Sequence, residues 1–353
     1  MIGTGFGTTV HIPAFQSCEE TEVVAVCSVR EEHAREAAAR FGVPAWTTDY
    51  RTLLTRDDVA AVSIASPPFT HRAMSLEALA AGKHVLLEKP MGVNAAECRE
   101  MLDAATRSGL AHMIAFEFRW HPGRLYIDQL LREGYIGEFR HANISLYVAT
   151  RGGSLGSPYY NWAAQREMGG GMLLGVGSHY LDALRWWFGD FAGVFGAAYA
   201  QVPERTDPVT GASMLASADD GFTLQVRFQR GGWGTVTQSM AAPFGPGTRV
   251  ELYGSEGTLA TYYPGFNPAP RTPILGARVG DDGLRELPMP ERYFPFEDDR
   301  DIRMLPFRLM VSEFVNAARN RTPVAPTFDD GLKVQAAMDG VFTSMESGRW
   351  VDL

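Results

Sequence analysis

The sequence is short of cysteine, of clustered positive charge and of long apolar runs. Its three cysteines, Cys18, Cys27 and Cys98, lie far apart and form no CxxC pair. That excludes a disulfide framework and a structural zinc site of the usual spacing, and no metal is expected. Asp and Glu (41) outnumber Lys and Arg (32), for a formal net charge of -9. Phosphate binding needs clustered cations, so nucleic acid is excluded as a partner and an anionic membrane surface is disfavoured. No stretch approaches the roughly 20 apolar residues that cross a bilayer. No basic-then-apolar leader opens the chain, so the expected location is the cytoplasm.

What is present is ordinary globular material: 45% hydrophobic and 21% charged residues over 353 positions, enough for two domains. The first third alternates short apolar runs with helical patterns. Residues 21–27 (TEVVAVC), 59–65 (VAAVSIA), 84–87 (HVLL) and 111–116 (AHMIAF) read as strands buried on both faces. Between them, 31–41, 71–81 and 95–108 read as helices, each followed by a glycine. Such alternation predicts βαβ units and a parallel, doubly wound sheet. Beyond residue 116 the pattern changes to antiparallel strands over 140–149, 221–228, 234–240, 249–253 and 258–263. The last two are joined by a GSEG turn. Residues 263–292 read as a long surface excursion, and helices close the chain near 306–320 and 329–347.

The chain opens on Gly3, Thr4, Gly5, Phe6, Gly7 and Thr8. Glycines before a helix let backbone approach a pyrophosphate that rests on the helix N-terminus. Two features are irregular. Thr8 stands where the third fingerprint glycine belongs, and only Met1 and Ile2 precede Gly3, where a strand of about five residues is usual. Either the start is assigned a few residues late or the strand is shortened. At the end of the next strand, where NAD-binding chains place an acid for the ribose 2′-hydroxyl, this chain has Ser28 with Arg30 two positions on. A hydroxyl and a guanidinium accept a 2′-phosphate that a carboxylate repels, which favours NADP over NAD. The alternative is that Arg30 is a solvated surface residue.

Glu88-Lys89-Pro90, at the end of HVLL, is accompanied by several ordered motifs. These are Ser66-Pro67-Pro68 with His71, Arg119 and Pro122 in FRWHP, Gly134-Tyr135-Ile136-Gly137, and Gly169-Gly170-Gly171 leading to Gly177-Ser178-His179. The segment 314–323 and Asp330-Gly331 complete the set. Together they resemble the glucose–fructose oxidoreductase and inositol dehydrogenase (Gfo/Idh/MocA) superfamily over essentially the whole chain. The resemblance implies a Rossmann dinucleotide-binding domain over 1–115 and an α+β domain with a large, mostly antiparallel sheet over 116–353. It implies a dehydrogenase acting on a CH–OH group of a sugar, polyol or cyclic diol, and a homodimer or homotetramer.

Lys89 is the expected acid/base group. It lies at the carboxyl end of a parallel strand, where ligands bind in open α/β sheets. A positive nicotinamide and partial burial there favour the neutral amine, which accepts a hydroxyl proton as hydride leaves the same carbon. Glu88 can tether the ammonium or hold the nicotinamide ribose, with Ser66, Pro67 and His71 also on the cofactor side. Ser178 reads as an N-cap, which puts His179 at a helix N-terminus as a neutral imidazole. The resemblance makes His179 the second acid/base or substrate-orienting group. Arg119, Trp120 and Trp162 are expected to face substrate, in a region that also holds Tyr147, Tyr159 and Tyr160; packing in the inter-domain core is the alternative for these aromatics. One departure stands out, because relatives commonly carry Asp four residues before the histidine, where this chain has Gly175. Lys89 and His179 then suffice, or the substrate differs, or catalysis is lost. A nucleotide-binding regulatory or scaffold protein and an NAD-dependent glycoside-cleaving enzyme are the other functions compatible with these residues.

Overall fold

A computed structural model describes residues 1–149 and 158–353. The chain divides into two compact units, Met1–Trp120 with Asp298–Leu332, and His121–Glu297 with Lys333–Leu353. A single boundary after residue 115 therefore misses the return of a C-terminal segment to the first unit.

In the first unit a wide-turn helical segment, Gly7–His11, runs into α1 (Ile12–Gln16). It is followed by β1 (Ala25–Cys27), α2 (Glu31–Phe41), β2 (Ala45–Thr47), α3 (Arg51–Leu54), β3 (Ala61–Ile64), α4 (His71–Ala80), β4 (His84–Leu87), α5 (Ala95–Ser108) and β5 (His112–Ile114). β1 pairs with β2, and β3, β4 and β5 pair in that order, all parallel. The gap between the two pieces is closed by the first residues. Ile2 bridges both Cys27 and Ile64. The Ile2 and Gly3 N–H groups donate to Ser63 O and Cys27 O at 2.9 Å each, and Met1 O accepts from Cys27 N at 2.8 Å. The shortened central strand thus still satisfies both neighbours, with a single residue in ladder geometry.

α2 and α5 each end on a left-handed glycine, Gly42 and Gly109, the residue type that adopts this cap without steric cost. α5 begins on Asn94, whose side chain accepts from Glu97 N at 2.9 Å.

The second unit begins with α6 (Pro122–Arg132), β6 (Phe139–Tyr147) and α7 (Ser178–Phe188). It continues through β7 (Phe191–Tyr199), β8 (Glu204–Thr206), β9 (Ser213–Leu215), β10 (Gly221–Phe228), β11 (Trp233–Ser239), β12 (Gly247–Gly254), β13 (Gly257–Tyr263), β14 (Ile274–Arg278) and β15 (Arg285–Leu287). α8 (Met304–Asn320) returns to the first unit, the division falls within α9 (Phe328–Ser347), and β16 (Val351–Asp352) ends the chain. Among the described residues nine strands form one mixed sheet, in the order β15-β14-β13-β12-β6-β11-β10-β7-β16. The expectation of antiparallel strands holds at every pairing except β6 with β11, which is parallel. The GSEG turn joins β12 to β13 as expected. The surface excursion is a correction: it carries β14 and β15, which extend the sheet edge.

α8 explains the split domain. Its apolar stripe, with Phe307, Met310 and Phe314 fully buried, packs with Val10, Leu86 and Met113 in one cluster beneath β4 and β5. Burying a Phe or Met side chain contributes about 1.5–3 kcal/mol, so the first unit depends on residues some 200 positions downstream. The described residues include no helix long and apolar enough to cross a membrane.

Candidate active site

The glycine turn is built by close contact on one side and open space on the other. Gly3 has φ +99°, and a Cβ there would lie 2.4 Å from Ala65 O. Gly5 is exposed, and a Cβ on it would meet nothing within 4 Å. That space lies before the N-terminal end of the Gly7–His11 segment, the surroundings a pyrophosphate requires. Thr8, in the third glycine's place, donates its hydroxyl to Thr4 O at 2.7 Å and so closes the turn on itself. Ser28 is tied to the same turn, accepting from the Thr4 hydroxyl at 3.1 Å. Arg30 is exposed at the start of α2.

Beneath the turn lies a buried polar chain absent from the sequence reading. His11, fully buried, meets Ser63 Oγ through Nδ1 at 2.7 Å and Glu88 Oε1 through Nε2 at 2.9 Å. Burial works against the Glu88 carboxylate. The His11 hydrogen bond and the positive charges of His11 and Lys89 outweigh that penalty and hold the carboxyl below its ordinary value. Glu88 Oε2 also accepts the Lys89 backbone N–H at 3.1 Å. The strand end that carries Lys89 is therefore anchored to the helix following the glycine turn. Lys89 itself is half-buried.

The remaining first-unit candidates divide. His71 does not reach outward. It is fully buried, with Nδ1 at 3.0 Å from Pro90 O and Nε2 at 2.9 Å from Ser66 O, and burial lowers its pKa. It ties the Ser66-Pro67 turn to the loop after Lys89. Ser66 turns its hydroxyl to Thr70 Oγ1 at 2.6 Å, and Pro67 precedes the single turn at Pro68–Thr70. Arg119 is buried and paired with Asp330 at 3.2 Å within its own unit. Asp330 also accepts from Thr327 N at 2.8 Å. Trp120 packs against the α8 cluster.

Two further groups, one buried and one half-buried, escaped the sequence. Glu117, just past β5, is 4% exposed, and burial with the repulsion of Glu88 raises its pKa to about 7. Arg303, held by Asp301 at 2.7 and 2.6 Å, lies over the Phe6 ring at 4.9 Å and so backs the glycine turn. A motif search for Glu88-Lys89-Pro90 could have found Glu117 only by asking what the neighbouring strand presents at its own carboxyl end.

In the second unit the expectation for His179 is corrected. Ser178 is no cap, since its hydroxyl donates back to Gly175 O at 3.3 Å. A wide-turn segment, Leu173–Gly177, runs continuously into α7 and puts His179 well inside the helix, 4% exposed. The real helix start is capped by Asp219, whose Oδ2 accepts from Met172 N at 3.1 Å and Leu173 N at 3.0 Å. Gly171 (φ +105°) leaves room for it, because a Cβ there would lie 2.3 Å from Asp219 Oδ1. Such wide turns inside helices recur at functional sites. Here one precedes His179 and another contains His11. Trp162 is half-buried in a short turn capped by Asn161, Tyr160 is half-buried, and Tyr159 is exposed.

Burial raises the Asp219 carboxyl from 3.8 to about 7. Between those values the folded chain binds a proton that the unfolded chain releases, so this group's contribution to stability falls as pH rises from about 4 to 7. Asp219→Asn keeps an acceptor without the charge and should flatten that decline in Tm. Asp219→Ala should lower stability at every pH by about 1 kcal/mol, the usual loss of a cap. Thermal melts of the three proteins from pH 4 to 8 check this; parallel curves for Asp219→Asn and the parent would contradict it.

Comparison with known proteins gives a consistent family. Residues 1–116 match the oxidoreductase family model with an NAD-binding Rossmann fold, and residues 125–260 match the GFO/IDH/MocA C-terminal domain. An uncharacterised oxidoreductase of Synechocystis sp. is 31% identical over 99% of this chain and 94% of its own. Levoglucosan dehydrogenase of Pseudarthrobacter phenanthrenivorans is 26% identical over 93% of this chain and 88% of its own. A solved levoglucosan dehydrogenase in complex with NADH and levoglucosan superposes with a TM-score of 0.87 at 25% identity, covering 99% of this chain and 97% of that one.

Proposed function

Because the chain belongs to the GFO/IDH/MocA family of NAD-binding oxidoreductases, we propose that it interconverts a secondary alcohol and a ketone on a sugar, polyol or cyclic diol, with Lys89 as the acid/base group. The observation that carries this reading is the buried Ser63–His11–Glu88 chain, which fixes the Lys89 strand end beneath the glycine turn. Gly3, Gly5, Phe6, Gly7 and Thr8 would hold the pyrophosphate, and the open space at Gly5 fits that group. Ser28 and Arg30 would meet the adenosine ribose, and the Ser66-Pro67 turn would border the dinucleotide. When bound, the cofactor supplies the hydride acceptor or donor.

The chain's own residues supply the rest. Glu88, kept ionised by its partners, presents a fixed charge beside the Lys89 ammonium. Lys89 Nζ receives the hydroxyl proton during oxidation and returns it during reduction. His179, on the helix that Asp219 caps, is assigned the orienting of substrate. The relatives named for levoglucosan dehydrogenase support a carbohydrate substrate. The outward face of the mixed sheet exposes Tyr199 and Trp233, which supports assembly into dimers or tetramers.

The exposed Arg30 and the hydroxyl of Ser28, with no carboxylate at the end of β1, support NADP over NAD. Energy transfer from the tryptophans to added NADPH or NADH measures this. NADPH should bind more tightly, and Ser28→Asp should reverse the order by about tenfold, equivalent to about 1.4 kcal/mol. Equal affinities in the parent protein would remove the NADP assignment. Absence of binding for both would remove the dehydrogenase reading itself.

A further inference from the structure

Glu117 deepens the reading of Lys89 as acid/base group and rests on it. β5 continues past Ile114, with Ala115 N donating to Leu87 O at 2.8 Å, so the chain beyond it runs beside the end of β4. The single turn Glu117–Trp120 follows there. Its first residue is a second buried carboxyl, near enough to the end of β4 for the charges of Glu88 and Lys89 to act on it.

The charged groups around it come from several elements. Glu88 and Lys89 stand at the end of β4, with His11 beyond Glu88. Arg303, ahead of α8, is held by Asp301. Arg119, in the same turn, is held by Asp330, and buried His71 feels Glu88. Burial penalises the Glu117 carboxylate most and the Glu88 charge adds to that penalty, which makes Glu117 the acid whose charge is hard to keep. Two neighbouring buried carboxylates do not both stay ionised cheaply.

We propose that Glu117 is the proton-exchange partner of Lys89. In one state an ammonium faces an ionised Glu117; in the other a neutral amine faces a neutral carboxylic acid. One proton moves between Nζ and a carboxyl oxygen, and no electrons move. The second state offers the free amine that alcohol oxidation requires. When Nζ takes the substrate hydroxyl proton, Glu117 releases its own to water, and the new ammonium again faces a carboxylate. The raised titration of Glu117 is the behaviour expected of such a group. Because it acts through Lys89, Glu117 is a positioning residue.

The test needs neither substrate nor turnover, so it can fail independently of the dehydrogenase reading. Infrared difference spectra of the purified protein across pH 5–9 follow the C=O stretch of protonated carboxyls. Asp219→Asn serves as the background, because Asp219 titrates in the same range. In that background a carboxylic acid band should titrate out near pH 7 and be missing when Glu117→Gln is added. Lys89→Met should move its midpoint upward, because a positive neighbour that favours the carboxylate is gone. A spectrum unchanged by Glu117→Gln would overturn the proposal. So would a Glu117 midpoint that stays in place in Lys89→Met.

Discussion

Lys89→Ala is expected to cut turnover by about 10²–10⁴-fold, the range over which a positioned acid/base group acts, while dinucleotide binding changes little. The separation follows from the first unit. The contacts that shape the turn, Gly3 against Ala65, Thr8 on Thr4 and Ser28 on Thr4, are made without the Lys89 side chain. The His11–Glu88 pair that anchors the strand end likewise uses a neighbouring carboxyl and a backbone N–H. Truncation at Cβ therefore removes the proton acceptor and leaves its support standing. Measuring kcat with a responsive sugar or polyol beside the energy-transfer Kd for NADPH distinguishes the two effects. Full turnover in Lys89→Ala would defeat the mechanism; parallel loss of binding and turnover would make Lys89 a binding residue instead.

The parts of this molecule legible in sequence were those set by local periodicity or by contiguous motifs. Residues 84–87 read as a buried strand because the run is apolar from Val85 onward, and Glu88-Lys89 followed at its end. The structure places them so, with Val85, Leu86 and Leu87 fully buried. What stayed hidden depends on residues distant in the chain. Ile2 is a strand only because Cys27 and Ile64 flank it, and no periodicity can be read from one residue. β7 was not anticipated because Ala and Gly dominate it. Gly196 lies where a Cβ would come 2.5 Å from Thr223 O, so close strand approach rather than β-propensity placed it there. Ser178 looked like a cap since Ser commonly is one, but Asp219, some 40 positions away, had already capped the helix a turn and a half earlier. Glu117 and His11 have the same origin: each is an unremarkable polar residue until the sheet brings it beside Glu88.

Gly3→Ala and Gly5→Ala should separate folding from cofactor binding within a single turn. Gly3 combines a left-handed φ of +99° with backbone at 2.4 Å from any Cβ, and its own N–H donates to Cys27 O. An alanine there must strain its backbone, at a cost of about 1–3 kcal/mol, and must also push β3 away from the Met1–Gly3 segment. That segment is the only ladder between the β1–β2 and β3–β4–β5 pieces among the described residues. Gly3→Ala should accordingly lower Tm by several degrees and weaken NADPH and NADH binding as a consequence. At Gly5 the surroundings are open and φ lies outside the left-handed region. The methyl group then meets no protein atom and occupies only the space assigned to the pyrophosphate. Gly5→Ala should melt with the parent protein and yet bind dinucleotide at least about tenfold more weakly, a loss of about 1.4 kcal/mol. Unchanged affinity in Gly5→Ala would mean that the pyrophosphate does not lie over this turn. A Gly3→Ala protein with the parent's Tm would mean that the Ile2 bridge contributes little to joining the sheet.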